Sequence, residues 1–321
     1  MPPLVLQSLK SIADLDYPSD RYELIVVDNG STDGSFEKIK GFLEGKSFRK
    51  KIIRLERNLG FTGGSNVGFR ARDPDSKYIV LLNNDAIPFR HSLRELVECA
   101  ELRSGIGAVQ GVIVDLDNGR VDTAGDMLTE LLIGAQIYNG RSLADVKKAF
   151  YVTYADGAYS LYRIESIKKA TGFPDKIFYD EMFAYFDDSV LGLQLWSTGF
   201  KVISIPRIVA LRRRSSTFRR VSPLKLYLST RGFYALNEIT NNSRFKPLIR
   251  NIHVLYNIAG RALATPLASK LIKRCRGKSD SSTKCKNVVK AIYLGYLHGI
   301  KWGQRKSKEI SRPIDIYREH L

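Results

Sequence analysis

Short apolar segments alternate with helical patterns in the first third of this chain. The segments at 24–27, 52–55 and 78–82 are continuously apolar, and amphipathic helical spacing separates them at 35–43 and near 66–72. Short runs without polar interruption are typical of strands that are buried on both faces of a sheet. Strands alternating with helices in this way predict an α/β fold with a mostly parallel sheet and right-handed crossovers.

The start of the chain departs from this pattern. A doubly wound sheet normally opens with a central strand, whereas this sequence opens with helical spacing over residues 4–15. No apolar strand precedes 24–27 to pair beside it. A truncated chain, a start assigned too late, or a sheet built without that strand would each explain the pattern. The sequence therefore predicts that the first strand is missing.

Polar clusters follow the apolar segments at or near their ends. They are Asp28, Asn83-Asn84-Asp85 and Asp187-Asp188. Residues just past the carboxyl ends of parallel strands meet in one crevice, where ligands bind. Carboxylates gathered there repel one another unless a cation or a polar ligand compensates them. The clusters therefore predict a binding or catalytic site at that edge of the sheet.

Charge divides the chain into two unlike parts. Residues 1–200 carry 24 Lys and Arg against 28 Asp and Glu, a net charge of −4, whereas residues 201–321 carry 27 against 5, a net charge of +22. From residue 223 onward the pattern is helical, amphipathic and basic. We predict a first domain over 1–220 and a basic helical region over 221–321. Such a region suits an anionic membrane surface or nucleic acid, or it is simply solvated.

The cysteines and the hydropathy of the sequence indicate the cellular compartment of the protein. Three cysteines, Cys99, Cys275 and Cys285, form neither a disulfide framework nor a zinc motif. No signal peptide is recognisable, and no apolar run has the length of a membrane span. These features predict a cytoplasmic protein.

Five ordered motifs resemble those of family 2 glycosyltransferases, which have the GT-A fold. They are ELIVVDNGSTDGS at 23–35, NLGFTGGSNVG at 58–68, LLNND at 81–85, GFPD at 172–175 and MFAYFDD at 182–188. The resemblance covers about residues 4–220, and motifs in order are more specific than any one alone. It is strongest to the branch of rhamnosyl- and related sugar transferases. It implies transfer of a hexose-type sugar from a nucleoside-diphosphate sugar to an acceptor hydroxyl.

The resemblance implies a set of residues that bind the donor nucleotide. They are Asp28, Asn29, Asn58, Gly63, Gly64, Asn66 and Asn84. Asp28 would contact the ribose or base, although a turn cap is an alternative. The glycines would form a loop that lets the backbone approach the nucleotide, with Asn66 hydrogen-bonded to it. The alternative for the glycines is a loop that needs positive φ angles.

The resemblance also implies a divalent cation, Mg²⁺ or Mn²⁺, on the leaving diphosphate. Asp85 and Asn83 stand at the metal motif, where the family has Asp rather than Asn83. Arg212 stands where the family often has a histidine ligand. Arg212 and Arg214 would instead bind the diphosphate directly, because a guanidinium forms bidentate hydrogen bonds with phosphate. Metal dependence stays open at this point.

Asp187-Asp188 matches the catalytic pair of the family. By this match Asp188 is the general base of an inverting transfer, and Asp187 supports it or contacts the acceptor. Val190 departs from the family, which often has a further acid there. The alternative is a pair of solvated carboxylates favoured by a helix N-terminus.

Taken together, the residues and the resemblance predict a glycosyltransferase of cell-envelope polysaccharide or other glycan biosynthesis. Its acceptor would be a glycan or a lipid-linked sugar. The basic helices would rest on the inner face of an anionic membrane, and nucleic acid is not expected as a partner. Two alternatives stay open: a catalytically degenerate transferase-like scaffold, and a basic nucleic-acid-binding protein, which the acidic clusters argue against.

Overall fold

A computed structural model describes residues 3–129, 131–213, 222–240, 246–248 and 279–309. The chain divides into two compact units. The first contains residues 1–128, 134–219 and 319–321, and the second contains residues 129–133 and 220–318. The domain boundary predicted from the sequence, at residue 220, lies next to the main division between them.

The first unit is built from strands and helices in alternation. Its strands are β1 Glu23–Asp28, β2 Arg49–Arg54, β3 Tyr78–Leu82, β4 Ala86–Pro88, β5 Ile106–Asp115, β6 Val121–Thr123, β7 Asp126–Leu128, β8 Gly134–Gln136, β9 Phe150–Tyr151, β10 Tyr159–Arg163 and β11 Lys201–Arg212. Its helices are α1 Pro3–Ala13, α2 Ser35–Leu43, α3 Gly60–Ala71, α4 Ser92–Glu101, α5 Ile164–Thr171 and α6 Asp187–Ser197. The predicted α/β class is confirmed.

The main sheet has the order β3-β10-β5-β11-β4, with β6 paired to β5 and β9 paired to β11. β5 and β11 are parallel, whereas β10 runs antiparallel between β3 and β5. β3, β5 and β11 therefore run in one direction. Their carboxyl ends share an edge of the sheet with the start of β10, where Tyr159 pairs with Leu82. β1 and β2 form a separate parallel pair.

The core of this unit lies on both faces of the main sheet. On one face Ala108 of β5 packs with Phe69 of α3 and Leu191 of α6, and on the other Val109 packs with Leu96 of α4. Adjacent β5 residues thus enter different clusters, as the two-residue period of a strand requires. Burying one such Leu or Phe side chain contributes about 1.5–3 kcal/mol.

A slot separates β1 from β3. Among the described residues no strand lies between them, and a cavity of about 860 Å³ is lined by all of β1 and all of β3. The prediction that the first strand is missing is therefore confirmed. Because of the slot, Leu24, Ile25, Val26 and Val27 are only half-buried, whereas a strand buried on both faces was expected.

The helix α3 begins earlier than the sequence predicted. The glycines Gly60, Gly63 and Gly64 lie inside it, not in a loop before a helix at 66–72. The N–H of Gly60 donates to Asn58 Oδ1 at 2.8 Å, which starts the helix. Gly60 has φ of 75°, and an added Cβ would lie 2.3 Å from the carbonyl oxygen of Phe183. Tertiary contact therefore decides where the helix starts.

The second unit contains two long helices, α7 Pro223–Ile239 and α8 Ser279–Glu309. A stripe of Gly295, Gly299 and Gly303 on α8 packs against the backbone of α7, where any Cβ would lie 2.5–2.7 Å from its nearest α7 atom. The polar residues 279–286 form the first turns of α8. No helix in the described part of the chain is long and apolar enough to cross a membrane.

Candidate active site

Charged side chains converge at the edge of the sheet where β3, β5 and β11 end. Asp85 follows β3, and Arg212 is the last residue of β11. Asp156 lies just before β10, and Asp122 is in β6. Asp156 reaches this edge because β10 runs antiparallel to its neighbours, so that its start meets their ends.

The Arg212 guanidinium is at the centre of this group. Its Nε lies 3.3 Å from Asp85 Oδ1, and its Nη1 lies 3.6 Å from Asp122 Oδ2 and 3.4 Å from Asp156 Oδ2. We call these four residues the Arg212 cluster. Burial acts to lower the pKa of Arg212, but Asp156, Asp85 and Asp122 outweigh it and raise that pKa above its ordinary value. Arg212 therefore stays charged and ties three elements together.

This geometry changes two of the expectations for the diphosphate site. Arg212 already has three carboxylate partners, so direct binding of a diphosphate would have to displace them. The residues present do not fit a divalent cation either: Asn83 is neutral, Asp85 is paired with Arg212, and no group of three or more His, Cys, Asp or Glu in the described segments could hold a metal. Arg214 lies outside the described residues.

Asp188 occupies the first turn of α6, beside the turn that precedes β10. Its Oδ2 accepts a hydrogen bond of 3.1 Å from the N–H of Gly157. Its Oδ1 is shielded from solvent and has no hydrogen-bond partner among the described residues. A Cβ added to Gly157 would lie 3.0 Å from Asp188 Oδ1 and 2.9 Å from the Phe61 ring, so a larger residue here would push against both side chains. One oxygen is thus fixed by a hydrogen bond, and the other is buried without a hydrogen-bond partner among the described residues.

Burial and like charge both act on the Asp187-Asp188 pair. Desolvation, then Asp187 and Asp156, raise the pKa of Asp188 well above its ordinary value. Desolvation also raises the pKa of Asp187, to about 6. The alternative of solvated carboxylates is wrong for Asp187, because only 4% of this residue is exposed. Carboxylates with raised pKa values are stronger bases and mark candidate catalytic residues.

The backbone just before Asp187-Asp188 has unusual φ angles. Phe183, Tyr185 and Phe186 have φ of 64°, 72° and 65°. Non-glycine residues pay a steric cost for positive φ, and such residues cluster at functional sites. The N–H of Thr62 at the start of α3 donates to the Phe183 carbonyl at 3.2 Å. The helix α3 therefore helps to fix the segment that leads into Asp187 and Asp188.

Asn66 of α3 also forms hydrogen bonds with the segment that precedes the acidic pair. Its Oδ1 accepts from the N–H groups of Ile177 and Phe178, and its Nδ2 donates to the Phe178 carbonyl and to Asp180 Oδ1. Asn66 is fully buried, and these bonds use both donors and both acceptor sites of its amide. In this structure Asn66 positions the segment that precedes the acidic pair, and its hydrogen bond to the nucleotide stays a prediction.

Several predicted donor residues do come together at one end of the slot. Asp28, Asn29, Gly64, Asn83 and Asn84 all line that cavity. Asn84 is exposed, and Asn83 is half-buried. These residues leave room for a polar ligand between the ends of β1 and β3.

Four of the predicted donor-binding residues already have contacts within the protein. Asp28 Oδ2 accepts from the N–H of Ser31 at 3.3 Å, which is the turn-capping role. Asn29 accepts from the N–H of Leu59 and donates to the Gly60 carbonyl, both at 2.8 Å. Asn58 caps the start of α3, and Gly63 faces Leu59. Neither Asn58 nor Gly63 lines the cavity.

Sequence reasoning missed Asp122, Asp156 and Gly157. Polar residues that follow apolar strands indicated the site, whereas Asp156-Gly157 stands directly before a strand. The sequence signal was an Asp-Gly turn that leads into the apolar start of β10. Its relevance follows only once β10 is known to run antiparallel.

The α/β sheet with its flanking helices is the GT-A fold, which the solved structures described below share. The model of "Glycosyl transferase family 2" matches residues 2–171, more than half of the chain. The chain belongs to family 2 of the glycosyltransferases.

Two curated relatives share this family resemblance at low identity. The probable glycosyltransferase YdaM of Bacillus subtilis (strain 168) is 23% identical over 217 residues, which are 67% of this chain and 49% of the relative. A dolichyl N-acetyl-α-D-glucosaminyl phosphate 3-β-D-2,3-diacetamido-2,3-dideoxy-β-D-glucuronosyltransferase of Methanococcus voltae is 22% identical over 235 residues, 72% of this chain and 68% of the relative. The chain thus spans about half the length of the first relative.

Solved structures show the same fold. S. aureus TarS 1–349 is 15% identical with a TM-score of 0.52, covering 98% of this chain and 89% of that one. The mannosyltransferase PcManGT of Pyrobaculum calidifontis, in complex with GDP-Man and Mn²⁺, is 18% identical with a TM-score of 0.54, covering 97% and 85%. TarS has also been solved with UDP-GlcNAc.

Proposed function

We propose that this glycosyltransferase moves a sugar from a nucleoside-diphosphate sugar to an acceptor hydroxyl with inversion, and that Asp188 is the general base. The observation that carries the proposal is the asymmetric setting of the Asp188 carboxylate. Gly157 fixes Oδ2, whereas Oδ1 is desolvated and without a partner among the described residues. Oδ1 is therefore the atom that takes the acceptor proton.

The raised pKa of Asp188 serves this step. A general base works best when its pKa is near the operating pH. Desolvation, together with Asp187 and Asp156, raises the pKa of Asp188 and thus its proton affinity. The acceptor oxygen then attacks the anomeric carbon as its proton passes to Oδ1, and the nucleoside diphosphate leaves from the opposite face. NMR of the product anomer tests inversion, and a retained configuration would refute it.

The donor is assigned to the end of the slot lined by Asp28, Asn29, Gly64, Asn83 and Asn84. TarS and PcManGT were solved with a UDP-sugar and a GDP-sugar, which supports a nucleoside-diphosphate sugar here. PcManGT also holds Mn²⁺. Because the Arg212 cluster does not fit a divalent cation as it stands, the proposed step uses only side chains of this chain.

A thermal-shift panel with UDP, GDP and dTDP, each with and without Mn²⁺, tests donor binding. We expect one nucleotide to stabilise the protein by about 2.7 kcal/mol at a hundred times its dissociation constant. We expect the same stabilisation with and without Mn²⁺, because Arg212 already pairs with the carboxylates that could bind the cation. A shift that needs Mn²⁺ would mean that a cation enters the Arg212 cluster. No shift with any nucleotide would count against the assigned donor site.

We further propose that the second unit rests on the inner, anionic face of a membrane and that the acceptor is a lipid-linked sugar. On α8 the exposed residues Lys290, Tyr293, Leu297, Lys301 and Lys308 form one stripe at helical spacing. Helical geometry places this stripe opposite Gly295, Gly299 and Gly303. Lysines beside exposed apolar side chains suit an anionic interface. The name of the M. voltae relative includes a dolichyl-linked sugar phosphate, which is consistent with such an acceptor.

Vesicle sedimentation tests the membrane proposal. We expect binding to vesicles with anionic lipid and weaker binding to neutral ones. Reversing Lys290 and Lys301 to Glu should weaken binding by at least about 25-fold, because each lysine near the surface contributes about 1 kcal/mol. Lys147→Glu with Lys148→Glu makes the same charge change on exposed residues of the first unit. Equal losses in both double variants would contradict a dedicated face on α8.

A further inference from the structure

The turn that precedes β10 connects the main sheet with the carboxylate of Asp188. The N–H of Gly157 in this turn donates to Asp188 Oδ2 at 3.1 Å. The Asp156 side chain shapes the turn, because its Oδ1 accepts from the N–H of Ala158 at 2.8 Å. Asp156 Oδ2 also lies 3.4 Å from Arg212 Nη1. A residue that fixes the backbone of this turn therefore also fixes the N–H group that Asp188 faces.

Gln110 of β5 holds this turn from the sheet. Its Oε1 accepts a hydrogen bond of 2.6 Å from the main-chain N–H of Asp156. Because a main-chain N–H can only donate, the amide atom that faces it is the oxygen, and this sets the orientation of the Gln110 amide. The peptide groups that carry the N–H of Asp156 and the N–H of Gly157 are planar and adjacent, so displacing the first also moves the second.

The position of Gln110 in the sheet would ordinarily suit an apolar side chain. Gln110 is fully buried and points to the same side of β5 as Ala108, which packs in the apolar core with α3 and α6. Burying an amide is costly unless its polar atoms are hydrogen-bonded. Its Nε2 is buried without a hydrogen-bond partner among the described residues. The bond to the Asp156 N–H is therefore the interaction that offsets the burial of this amide.

Ser204 of β11 offers a comparison within the same sheet. It pairs with Gln110 in the register of β5 and β11, and it is equally buried. Its Oγ has no hydrogen-bond partner in the described segments. The two polar side chains thus share a row of the sheet, and of the two it is Gln110 that is bonded to the turn.

We propose that Gln110 is a positioning residue for the transfer reaction: through the Asp156 N–H it fixes the Gly157 N–H, which in turn holds Asp188 Oδ2. This inference rests on the proposed function, because the position of Asp188 affects the rate only if Asp188 is the general base. Gln110 acts through the turn alone, since its side chain is buried in the sheet and does not line the donor cavity.

Loss of the Gln110 bond should make Asp188 hold its proton more tightly. Burial, then Asp187 and Asp156, raise the pKa of Asp188, whereas the hydrogen bond from Gly157 lowers it. If the turn relaxes and the Gly157 N–H withdraws, this lowering is lost and the pKa rises further. The ionisable groups around Asp188 are themselves kept when Gln110 is replaced; they are Asp187 of α6, Asp126 of β7, Asp156 with its partner Arg212, and Tyr154 and Tyr162 before and within β10.

The NMR amide signal of Gly157 measures this effect without turnover. In protein with isotopically labelled glycine, its chemical shift follows the ionisation of the carboxylate that accepts its hydrogen bond. The variant is Gln110→Met, which fills a similar volume but offers only a weak acceptor to the Asp156 N–H. We expect the midpoint of the titration to move to higher pH, with the proton bound at least about tenfold more tightly, as for loss of one hydrogen bond to a charged group. Asp188→Asn should abolish the transition and thereby assigns it.

Turnover should show the matching change. At a pH below the midpoint, kcat of Gln110→Met should fall by about three- to tenfold, because a smaller fraction of Asp188 is ionised. KM for the donor should stay close to that of the parent, since Gln110 does not line the donor cavity. Ser204→Ala is the matched control, which removes a buried oxygen from the same row of the sheet and should leave the Gly157 midpoint and kcat unchanged.

Two results would overturn the proposal: an unchanged Gly157 midpoint in Gln110→Met, and an equal rise of that midpoint in Ser204→Ala. If Gln110→Met does not fold, Gln110→Asn takes its place, because its shorter side chain leaves the oxygen out of reach of the Asp156 N–H. An unchanged midpoint while Asp188→Asn loses turnover would refute the role of Gln110 alone. Parental turnover in Asp188→Asn would refute the proposed function, and the positioning role with it, whatever the midpoint shows.

Discussion

Replacing Asp188 with Asn should reduce turnover by about 10²–10⁴-fold while leaving donor binding intact. Loss of a general base has a rate effect of this size. Asn keeps the hydrogen bond from the Gly157 N–H but takes no proton at the position of Oδ1. The measurement is turnover with the nucleotide that the thermal-shift panel selects. An unchanged rate would support the alternative of a degenerate scaffold.

The same variant should be more stable than the parent at neutral pH. Desolvation and like charge raise the pKa of Asp188 in the folded protein. The folded state then holds this proton more tightly than the unfolded chain does, so ionisation as pH rises costs folded stability. Asn removes that cost, and the gain should be present at pH 8 and vanish below about pH 4, the pKa of an unfolded Asp. A loss of stability at pH 8 would contradict this account.

Replacing Arg212 with Met should destabilise the first unit by about 3–5 kcal/mol at neutral pH. Removing one partner of a buried ion pair leaves uncompensated charge, which is the costly case. Here Asp85, Asp122 and Asp156 would lose their shared cation, and the first two are almost fully buried. Urea unfolding at neutral pH measures the loss.

Arg213→Met is the matched control. Arg213 lies next to Arg212 and pairs with Asp117 at 2.8 Å, but its side chain is 48% exposed. Exposed ion pairs contribute about 0–1 kcal/mol, so this variant should stay close to the parent. Similar stability of the two variants would show that the Arg212 cluster does not depend on its cation. Mn²⁺ should stabilise Arg212→Met more than the parent, since freed carboxylates are suitable oxygen ligands.

Much of the fold could be predicted from local patterns. The continuous apolar runs of β1 and β3 and the amphipathic spacing of α2 predicted strands and a helix where the structure has them. These patterns are visible because burial acts on neighbouring residues with a period of two or 3.6. The lack of an apolar run ahead of β1 was visible for the same reason, whereas the slot between β1 and β3 was seen only in the structure.

The start of α3 could not be predicted in this way. Gly60, Gly63 and Gly64 are weak helix formers, so local propensity favoured a loop. Contact with Phe183, which is distant in sequence, requires glycine at position 60, where the helix begins. The role of Asn66 was hidden for a related reason, because its four hydrogen-bond partners lie between residues 177 and 180.

The sequence by itself determined the family, the alternation of strands and helices, and the prominence of Asp85 and Asp187-Asp188, because these depend on the order and spacing of residues. Only the tertiary structure decided which charges meet. The reversed direction of β10 brings Asp156 and Gly157 to the carboxyl edge of β3 and β5. Asp156 then faces Arg212, and Gly157 fixes Asp188. Strand direction is set by long-range pairing and packing, which leave no local pattern in the sequence.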